Sequence, residues 1–181
     1  MGREKLSLEV LGVPLIQHVT DALTERCQEV LVVGDGGVRL EGVRYITCER
    51  PGSLGPLAGM EAGLAAATNR LIFVAAGDMP FLHGNLVGYL LERLDNRDMC
   101  AVVPLHQGRI HPLCAAYDRE ILPRLRATLD EGTRAVHRLL EVLDRVEYVG
   151  EELLRFGDPD LLLMNVNSPG ELDRARREAR R

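Results

Sequence analysis

The stretch LIFVAAGDMPFL, at residues 71–82, constrains the fold of this chain more than any other part of the sequence. Its apolar run at 71–76 has the length and the residue types of a buried, parallel β-strand. Gly77-Asp78 follows the run, and Met79-Pro80 ends any strand there. The strand therefore delivers the carboxylate of Asp78 to its C-terminal end, the edge of an open α/β sheet where ligands bind.

Two interpretations of Asp78 are open from these residues alone. A carboxylate at this edge can hold Mg²⁺, a hard cation that takes oxygen ligands and bridges to phosphates. Asp two residues before a proline is also common in turns, because its side chain hydrogen-bonds the following backbone. The local sequence does not separate a metal ligand from a turn former.

Short apolar runs alternate with segments of helical period along the rest of the chain. The strands are predicted at 29–33, 43–47, 71–76, 99–103, 111–117 and 146–149. The helices are predicted at 15–23, from Pro56 to 67, at 84–94, 119–129 and 133–143, and from Ser168 to the C-terminus. The polar stretch 106–111 is predicted to be a loop or a hairpin turn. Alternation of this kind predicts a parallel sheet with crossover helices, which is an α/β fold.

The segment 51–60, PGSLGPLAGM, predicts a loop that leads into a helix at Pro56. A loop followed by the N–H groups of a helix start favours an anionic ligand. The small residues Ala58, Gly59, Ala62 and Gly63 are equally consistent with close packing of the helix against a neighbour. The segment lacks the Gly-Lys-Ser/Thr sequence of a P-loop.

Composition narrows the class of protein. The 181 residues are enough for one domain, and the net charge of −5 argues against a general nucleic-acid binder. No apolar run approaches the ~20 residues of a membrane span. The four cysteines are far apart and form no C-x-x-C pair, as in reduced cytosolic proteins. We expect a cytoplasmic protein of a single domain, with no nucleic-acid or membrane partner.

Six motifs, in this order and spacing, resemble the molybdenum cofactor guanylyltransferases over essentially the whole chain. They are Gly2-Arg3-Glu4-Lys5-Leu6, Gly12-Val13-Pro14-Leu15, Gly55-Pro56-Leu57-Ala58-Gly59-Met60, Gly77-Asp78-Met79-Pro80-Phe81-Leu82, His111-Pro112-Leu113 and Asn165-Val166-Asn167-Ser168-Pro169. The third block is the most specific, since the related cytidylyltransferases carry a different sequence there. The resemblance implies a three-layer Rossmann-like nucleotidyltransferase fold, with a mostly parallel sheet and helices on both faces.

The resemblance also implies an activity and its partners. Enzymes of this family transfer GMP from GTP to molybdopterin or its molybdenum form and release pyrophosphate, with Mg²⁺ as cofactor. Other molybdenum cofactor biosynthesis proteins and molybdoenzyme chaperones are the implied protein partners. Because the reaction joins two anionic phosphates, it needs a metal ion and a fixed ammonium rather than a protein nucleophile.

On the nucleotide side, the resemblance assigns catalytic roles to Lys5 and Asp78. Lys5 would contact the phosphates, and Asp78 would bind Mg²⁺ and nucleotide. The segment predicted to lie beside the nucleotide is Gly55, Pro56, Leu57, Ala58 and Gly59. Without the resemblance, Lys5 is an ordinary exposed lysine near a chain end.

On the pterin side, the resemblance points to Asn165 and Asn167, and His111 is a further candidate. Each has a simpler interpretation. His111 could simply be the residue that begins a strand. Asn165 could cap a turn, and Asn167 could hydrogen-bond to the backbone ahead of the last helix.

Members of the family begin with a first strand, a Leu-Ala-Gly-Gly turn and a polar loop that ends in Arg-Met-Gly. This chain starts at that Met, so we expect the domain of residues 1–181 to be N-terminally incomplete. Two alternatives to guanylyl transfer therefore stay open. One is a related nucleotidyltransferase that uses CTP or a sugar phosphate, and the other is a non-catalytic nucleotide- or pterin-binding protein.

Overall fold

Strands and helices alternate along residues 3–34, 38–48 and 55–181, which are the residues that the computed structural model describes. The α-helices are α1 (Leu15–Thr24), α2 (Pro56–Ala66), α3 (Gly84–Asn96), α4 (Leu122–Asp130), α5 (Val136–Glu141), α6 (Pro159–Leu162) and α7 (Pro169–Glu178). Three 3₁₀ segments are Arg3–Ser7, Arg119–Ile121 and Glu151–Phe156. Residues 1–2, 35–37 and 49–54 lie outside the described residues, so Gly2 of the first motif and positions 51–54 of the predicted loop are not described.

Within the described ranges, the strands form one larger sheet and two small ones. They are β1 (Glu9–Val10), β2 (Val13–Pro14), β3 (Leu31–Val33), β4 (Arg44–Ile46), β5 (Leu71–Ala75), β6 (Ala101–His106), β7 (Arg109–Ile110), β8 (Cys114–Asp118) and β9 (Val146–Val149). In the larger sheet β8 lies between β5 and β6, and β9 and β7 also pair with β6. β3 pairs with β4, and β1 pairs with β2.

The predicted α/β class is confirmed, but the pairing of the larger sheet is mixed. β3–β4 and β6–β9 are parallel, as expected, whereas β8 is antiparallel to both β5 and β6. The reason lies in the hairpin between β6 and β7, whose two turn residues Gln107 and Gly108 both have positive φ, 48° and 73°. That is the geometry of a tight two-residue hairpin. It reverses the chain, so the strand that follows returns antiparallel.

Helices cover both faces of the larger sheet, which confirms the three-layer expectation. On one face, α3 packs on the sheet with Leu86, Val87 and Leu90 in an apolar cluster that also takes Phe73 of β5. On the other face, residues of α2, α4 and α5 pack with Val74 of β5. β5 thus contributes side chains to both layers. Among the described residues, no helix is long and apolar enough to cross a membrane.

The last helix begins after Ser168, as the sequence predicts, and a modified capping box stands at its start. Ser168 Oγ accepts the Glu171 N–H at 3.3 Å, as expected for an N-cap serine. The Glu171 carboxylate accepts the Ser168 hydroxyl at 3.0 Å and the Asn167 N–H at 2.7 Å. The Glu171 carboxylate therefore binds Asn167, the residue before the N-cap, and fixes it at the start of α7.

Candidate active site

Asp78 lies just beyond the C-terminal end of β5, as the sequence predicts. The Ala76 N–H donates to the Leu113 carbonyl at 2.8 Å, so the chain keeps its pairing with the approach to β8 before it turns away. Gly77 follows, and a Cβ at this position would lie 3.1 Å from Leu6 Cδ2. Glycine here lets the 3₁₀ segment Arg3–Ser7 pack against the strand end. That contact brings Lys5 next to Asp78.

Lys5, Asp78 and Asn167 form one polar cluster, although they are far apart in sequence. The Lys5 ammonium donates to Asp78 Oδ2, and it donates to Asn167 Oδ1 at 2.7 Å. Asp78 is only 8% exposed. Its second oxygen, Oδ1, is buried and accepts no hydrogen bond from any residue that the structure describes. A buried carboxylate oxygen of this kind costs free energy unless something binds to it.

The Asn165–Ser168 loop is fastened to the same cluster through the backbone. The Val166 N–H donates to the Asp78 carbonyl at 2.9 Å, which places Asn165 and Asn167 on either side of that contact. The Asn165 Oδ1 atom is buried and has no partner within the described part of the chain. Hydrogen bonds from the Asn167 backbone and the Ser168 hydroxyl lower the pKa of Glu171, and the positive charge of Lys5 adds to this effect.

Of the five residues predicted beside the nucleotide, two are exposed and the other three pack against the rest of the protein. Gly55 and Pro56 are exposed at the start of α2, while the side chains of Leu57 and Ala58 are buried in the core. Gly59 faces β3, where its Cβ position lies 3.9 Å from Val33 Cγ1. The structure therefore leaves only the first two residues exposed for contact with a ligand. For Gly59 it supports the packing interpretation that the sequence left open.

Gly55 also has a neighbour that the sequence did not indicate. Its φ of 137° is a conformation that favours glycine, and a Cβ there would lie 3.2 Å from the Cβ and the carbonyl oxygen of Arg134. The Leu57 N–H points to the same carbonyl at 3.4 Å. Arg134 thus stands against the exposed end of α2. Nothing in the local sequence around Arg134 predicts this position.

His111 lies at the same edge of the sheet as Asp78 but outside the Lys5 cluster. It precedes β8, whose first residue Cys114 is opposite Ala75, the last residue of β5. Burial lowers the pKa of His111, and the charges of Arg109 and His106 lower it further. A lowered pKa favours the neutral imidazole. His111 makes no hydrogen bond with the Lys5 cluster in the described structure.

A second polar group at this edge was missed by the sequence reasoning. Asp160 Oδ1 lies 3.0 Å from His106 Nε2 and accepts from the Gln107 side chain at 3.2 Å. The two partners sit at the β6–β7 turn, and Asp160 belongs to α6. No sequence pattern links positions that are 53 and 54 residues apart.

The capacity for metal binding rests on one carboxylate. No group of three or more His, Cys, Asp or Glu side chains that could hold a metal exists in the described ranges. A closed site of several protein ligands, such as a structural zinc site, therefore does not fit the described residues. Within the Lys5 cluster, Asp78 Oδ1 is the buried carboxylate oxygen that has no partner among the described residues.

The fold is that of the nucleotidyltransferases. The 2-C-methyl-D-erythritol 4-phosphate cytidylyltransferase from Thermus thermophilus superposes with a TM-score of 0.74 at 21% identity, over 98% of this chain and 94% of that one. The molybdopterin-guanine dinucleotide biosynthesis protein A from Archaeoglobus fulgidus superposes with a TM-score of 0.81 at 25% identity, over 98% of this chain and 91% of the other.

The chain belongs to the MobA-like NTP transferase family, whose domain model matches residues 1–147. A probable molybdenum cofactor guanylyltransferase from Pelotomaculum thermopropionicum is 36% identical over 97% of this chain and 85% of its own length. The family and the fold agree, so the chain is an enzyme of the nucleotidyltransferase class. The family resemblance drawn from the six motifs is thereby confirmed.

Proposed function

We propose that this chain transfers GMP from GTP to molybdopterin or its molybdenum form and releases pyrophosphate. The observation that carries the proposal is the buried Asp78 Oδ1 atom, which has no partner among the described residues and lies beside the Lys5 ammonium. The names of the relatives from Pelotomaculum thermopropionicum and Archaeoglobus fulgidus support the choice of substrates.

The residues present suit Mg²⁺ as the cofactor. Mg²⁺ in phosphoryl-transfer sites is commonly held by one or two carboxylates together with substrate phosphates and water. Asp78 supplies one such carboxylate, and its Oδ1 atom is the ligand oxygen that we assign to the ion. When bound, Mg²⁺ would neutralise charge on the phosphates.

In the proposed reaction, a terminal phosphate oxygen of molybdopterin forms a bond to the α-phosphorus of GTP. The bond between that phosphorus and the oxygen bridging to the β-phosphate breaks, and pyrophosphate leaves with the electron pair. Lys5 serves as a fixed cation whose ammonium meets the negative charge of the phosphates. Asn167 holds that ammonium in place through the 2.7 Å hydrogen bond, which limits reorganisation during the reaction.

The two substrates are assigned to two different groups of residues. Gly55 and Pro56 stand at the N-terminus of α2, the positive end of the helix dipole, which suits the anionic part of GTP. For molybdopterin, the buried Asn165 Oδ1 atom is an acceptor for an N–H group, and a pterin ring carries several. His111 in its neutral form is a further pterin-side contact in this proposal.

The test is a direct assay with purified chain, molybdopterin, Mg²⁺ and either GTP or CTP. We expect pyrophosphate release with GTP, together with a new dinucleotide product that chromatography separates from molybdopterin. Product formed from CTP in preference to GTP would overturn the guanylyl assignment. Binding of GTP without any pyrophosphate release would favour the non-catalytic alternative. Omission of Mg²⁺ is expected to abolish product formation.

A further inference from the structure

Glu171, on the first turn of α7, is joined to the Lys5 cluster through a chain of hydrogen bonds. Its Oε2 atom accepts the Asn167 N–H at 2.7 Å. Asn167 Oδ1 in turn accepts from the Lys5 ammonium at 2.7 Å, and the same ammonium donates to Asp78 Oδ2. In the part of the chain that the structure describes, Glu171 therefore reaches the ammonium through Asn167 and not by a direct hydrogen bond.

The position of the Asn167 side chain depends on backbone hydrogen bonds rather than on packing. Asn167 is exposed, whereas the preceding Val166 is buried in an apolar cluster with Leu172 of α7. The Val166 N–H donates to the Asp78 carbonyl at 2.9 Å, and the next N–H, that of Asn167, donates to Glu171. An exposed side chain has several rotamers available, so these two consecutive bonds decide where the Asn167 amide can reach.

The bond between Glu171 and the Asn167 N–H is charge-assisted, which makes it stronger than a hydrogen bond between neutral groups. The pKa of Glu171 is lowered chiefly by this N–H group and by the Ser168 hydroxyl, and the positive charge of Lys5 lowers it further. The ionised carboxylate is therefore the favoured form. The contribution of Lys5 also shows that the carboxylate lies within electrostatic range of the ammonium.

Other contacts hold α7 on the protein. Leu172 and Ala175 are buried against the body of the domain. The Ser168 hydroxyl caps the helix by accepting the N–H of residue 171, a backbone group that Ala or Gln at this position would keep. Removal of the Glu171 carboxylate should therefore loosen Asn167 while α7 stays in place.

We propose that Glu171 is a positioning residue, which fixes Asn167 and thereby holds the Lys5 ammonium where the nucleotide phosphates bind. This role rests on the proposed function, since it takes Lys5 as the cation that meets the phosphates. A cation that is already in position does not reorganise as charge develops. A displacement of about 1 Å in such a site can cost about 10² in rate. Because Glu171 acts through Lys5, its loss should cost no more than the loss of Lys5 itself.

The first test measures binding and needs no turnover. The probe is Mg²⁺ with the α,β-methylene analogue of GTP, and calorimetry gives its Kd for the full chain. We expect Glu171→Ala to raise this Kd about tenfold. Glu171→Gln keeps an oxygen that can accept the Asn167 N–H, so its Kd should rise by less than about threefold. The matched control is Glu178→Ala, which removes a glutamate of the same helix whose partner is Arg181, and its Kd should equal that of wild type.

The second test asks whether Glu171 acts through Lys5. In a chain that already carries Lys5→Met, Glu171→Ala should change the Kd by less than about twofold, because no ammonium is left to be held. Hydrogen exchange at the Asn167 amide should be about tenfold faster in Glu171→Ala, whether or not Lys5 is present. A helix that was merely destabilised would show the same loss of affinity in both backgrounds.

Three results would overturn the role of Glu171: an unchanged Kd in Glu171→Ala, an equal loss in Glu178→Ala, or a loss that is the same with and without Lys5. The same variants are then compared by kcat/KM for pyrophosphate release from GTP. A wild-type chain that shows the expected binding pattern but releases no pyrophosphate would overturn the proposed activity and still support the role of Glu171. Pyrophosphate release that is equal in wild type and Glu171→Ala would overturn only the role of Glu171.

Discussion

Two buried aspartates stand at opposite ends of β5, and they differ in how their oxygens are used. Asp118, the last residue of β8, lies opposite Leu71 at the start of β5 and is 4% exposed. Its Oδ2 atom accepts from Arg70 at 2.5 Å, and its Oδ1 atom accepts the Glu120 N–H at 2.9 Å. Both oxygens of Asp118 are thereby satisfied within the protein.

Asp78, at the other end of β5, has only one oxygen bound by the described residues. The burial of the two carboxylates is similar, so burial alone does not distinguish a structural aspartate from a functional one. The difference is that Asp118 completes a cap and an ion pair, whereas Asp78 keeps one buried oxygen without a hydrogen-bond partner among the described residues. A buried oxygen without a hydrogen-bond partner destabilises the folded protein, and a ligand that binds to this oxygen offsets that cost.

The sharpest test of this comparison is Asp78→Asn. We expect kcat for pyrophosphate release to fall by about 10² to 10³, because a neutral amide replaces the assigned metal ligand. The free energy of unfolding should change by only about 1 kcal/mol, since the amide oxygen can still accept from Lys5 and a buried charge is removed. Steady-state kinetics and urea denaturation measure the two effects. Near-normal activity in this variant would remove Asp78 from the mechanism.

Lys5→Met should have the next largest effect. It removes the cation that contacts both Asp78 and Asn167, and we expect kcat/KM to fall by about 10 to 10². Added Mg²⁺ should not restore the rate if the ammonium acts at a fixed position. The matched control is Arg138→Met, because Arg138 is an exposed cation whose partner is Glu141 on the same helix. A similar loss of rate in both variants would mean that the net charge of the protein, and not the position of the Lys5 ammonium, is responsible.

Asp118→Asn is the structural counterpart of the first variant. We expect a loss of about 1 kcal/mol in the free energy of unfolding, since the ion pair is weakened but Arg70 is largely exposed and solvent screens it. Activity at a temperature where the variant is folded should stay within about twofold of wild type. A large drop in activity with intact stability would show that the two ends of β5 are not separate in function.

The smallest effect is expected for Glu171→Gln, which weakens the hold on Asn167. The pKa of Glu171 is lower in the folded state than in the unfolded state. Between these two pKa values the unfolded state binds more protons, so the free energy of unfolding rises with pH there. The stabilisation by Glu171 is full above its unfolded pKa of about 4.3 and is lost as the pH falls through the folded value. Thermal unfolding should therefore show a difference from wild type of about 0.5 kcal/mol near pH 7 that shrinks as the pH falls below about 4.3. A difference that persists in acid would contradict this origin.

Much of the local structure follows from short-range patterns. The run at 71–76 predicts a strand and places Asp78 at its end, and the structure has β5 at Leu71–Ala75. The Ser168 cap and the Glu171 carboxylate are likewise found where the pattern predicts a helix start. These features depend on residues within a few positions of one another, so propensity and capping chemistry are sufficient to predict them.

The pairing of strands was harder to predict. The apolar runs suggest a mostly parallel sheet, but the tight turn at Gln107-Gly108 makes β8 antiparallel to its neighbours. The signal was present in the polar stretch 106–111, where a hairpin turn was one of two interpretations. Strand direction depends on how the chain reverses, and a buried run has the same composition in either direction.

The sequence by itself determined the α/β class, the family and the position of Asp78 just beyond the end of a strand, although that strand is half-buried and not fully buried as the apolar run predicts. Only the tertiary structure decided that the Lys5 ammonium binds both Asp78 and Asn167, that Asp78 keeps one oxygen without a described partner, and that β3 and β5 do not pair with each other within the described residues. The physical reason is the distance along the chain over which each effect acts. Propensities and caps act over a few residues, whereas hydrogen-bond satisfaction and edge pairing depend on contacts between segments as far apart as the 162 residues that separate Lys5 from Asn167.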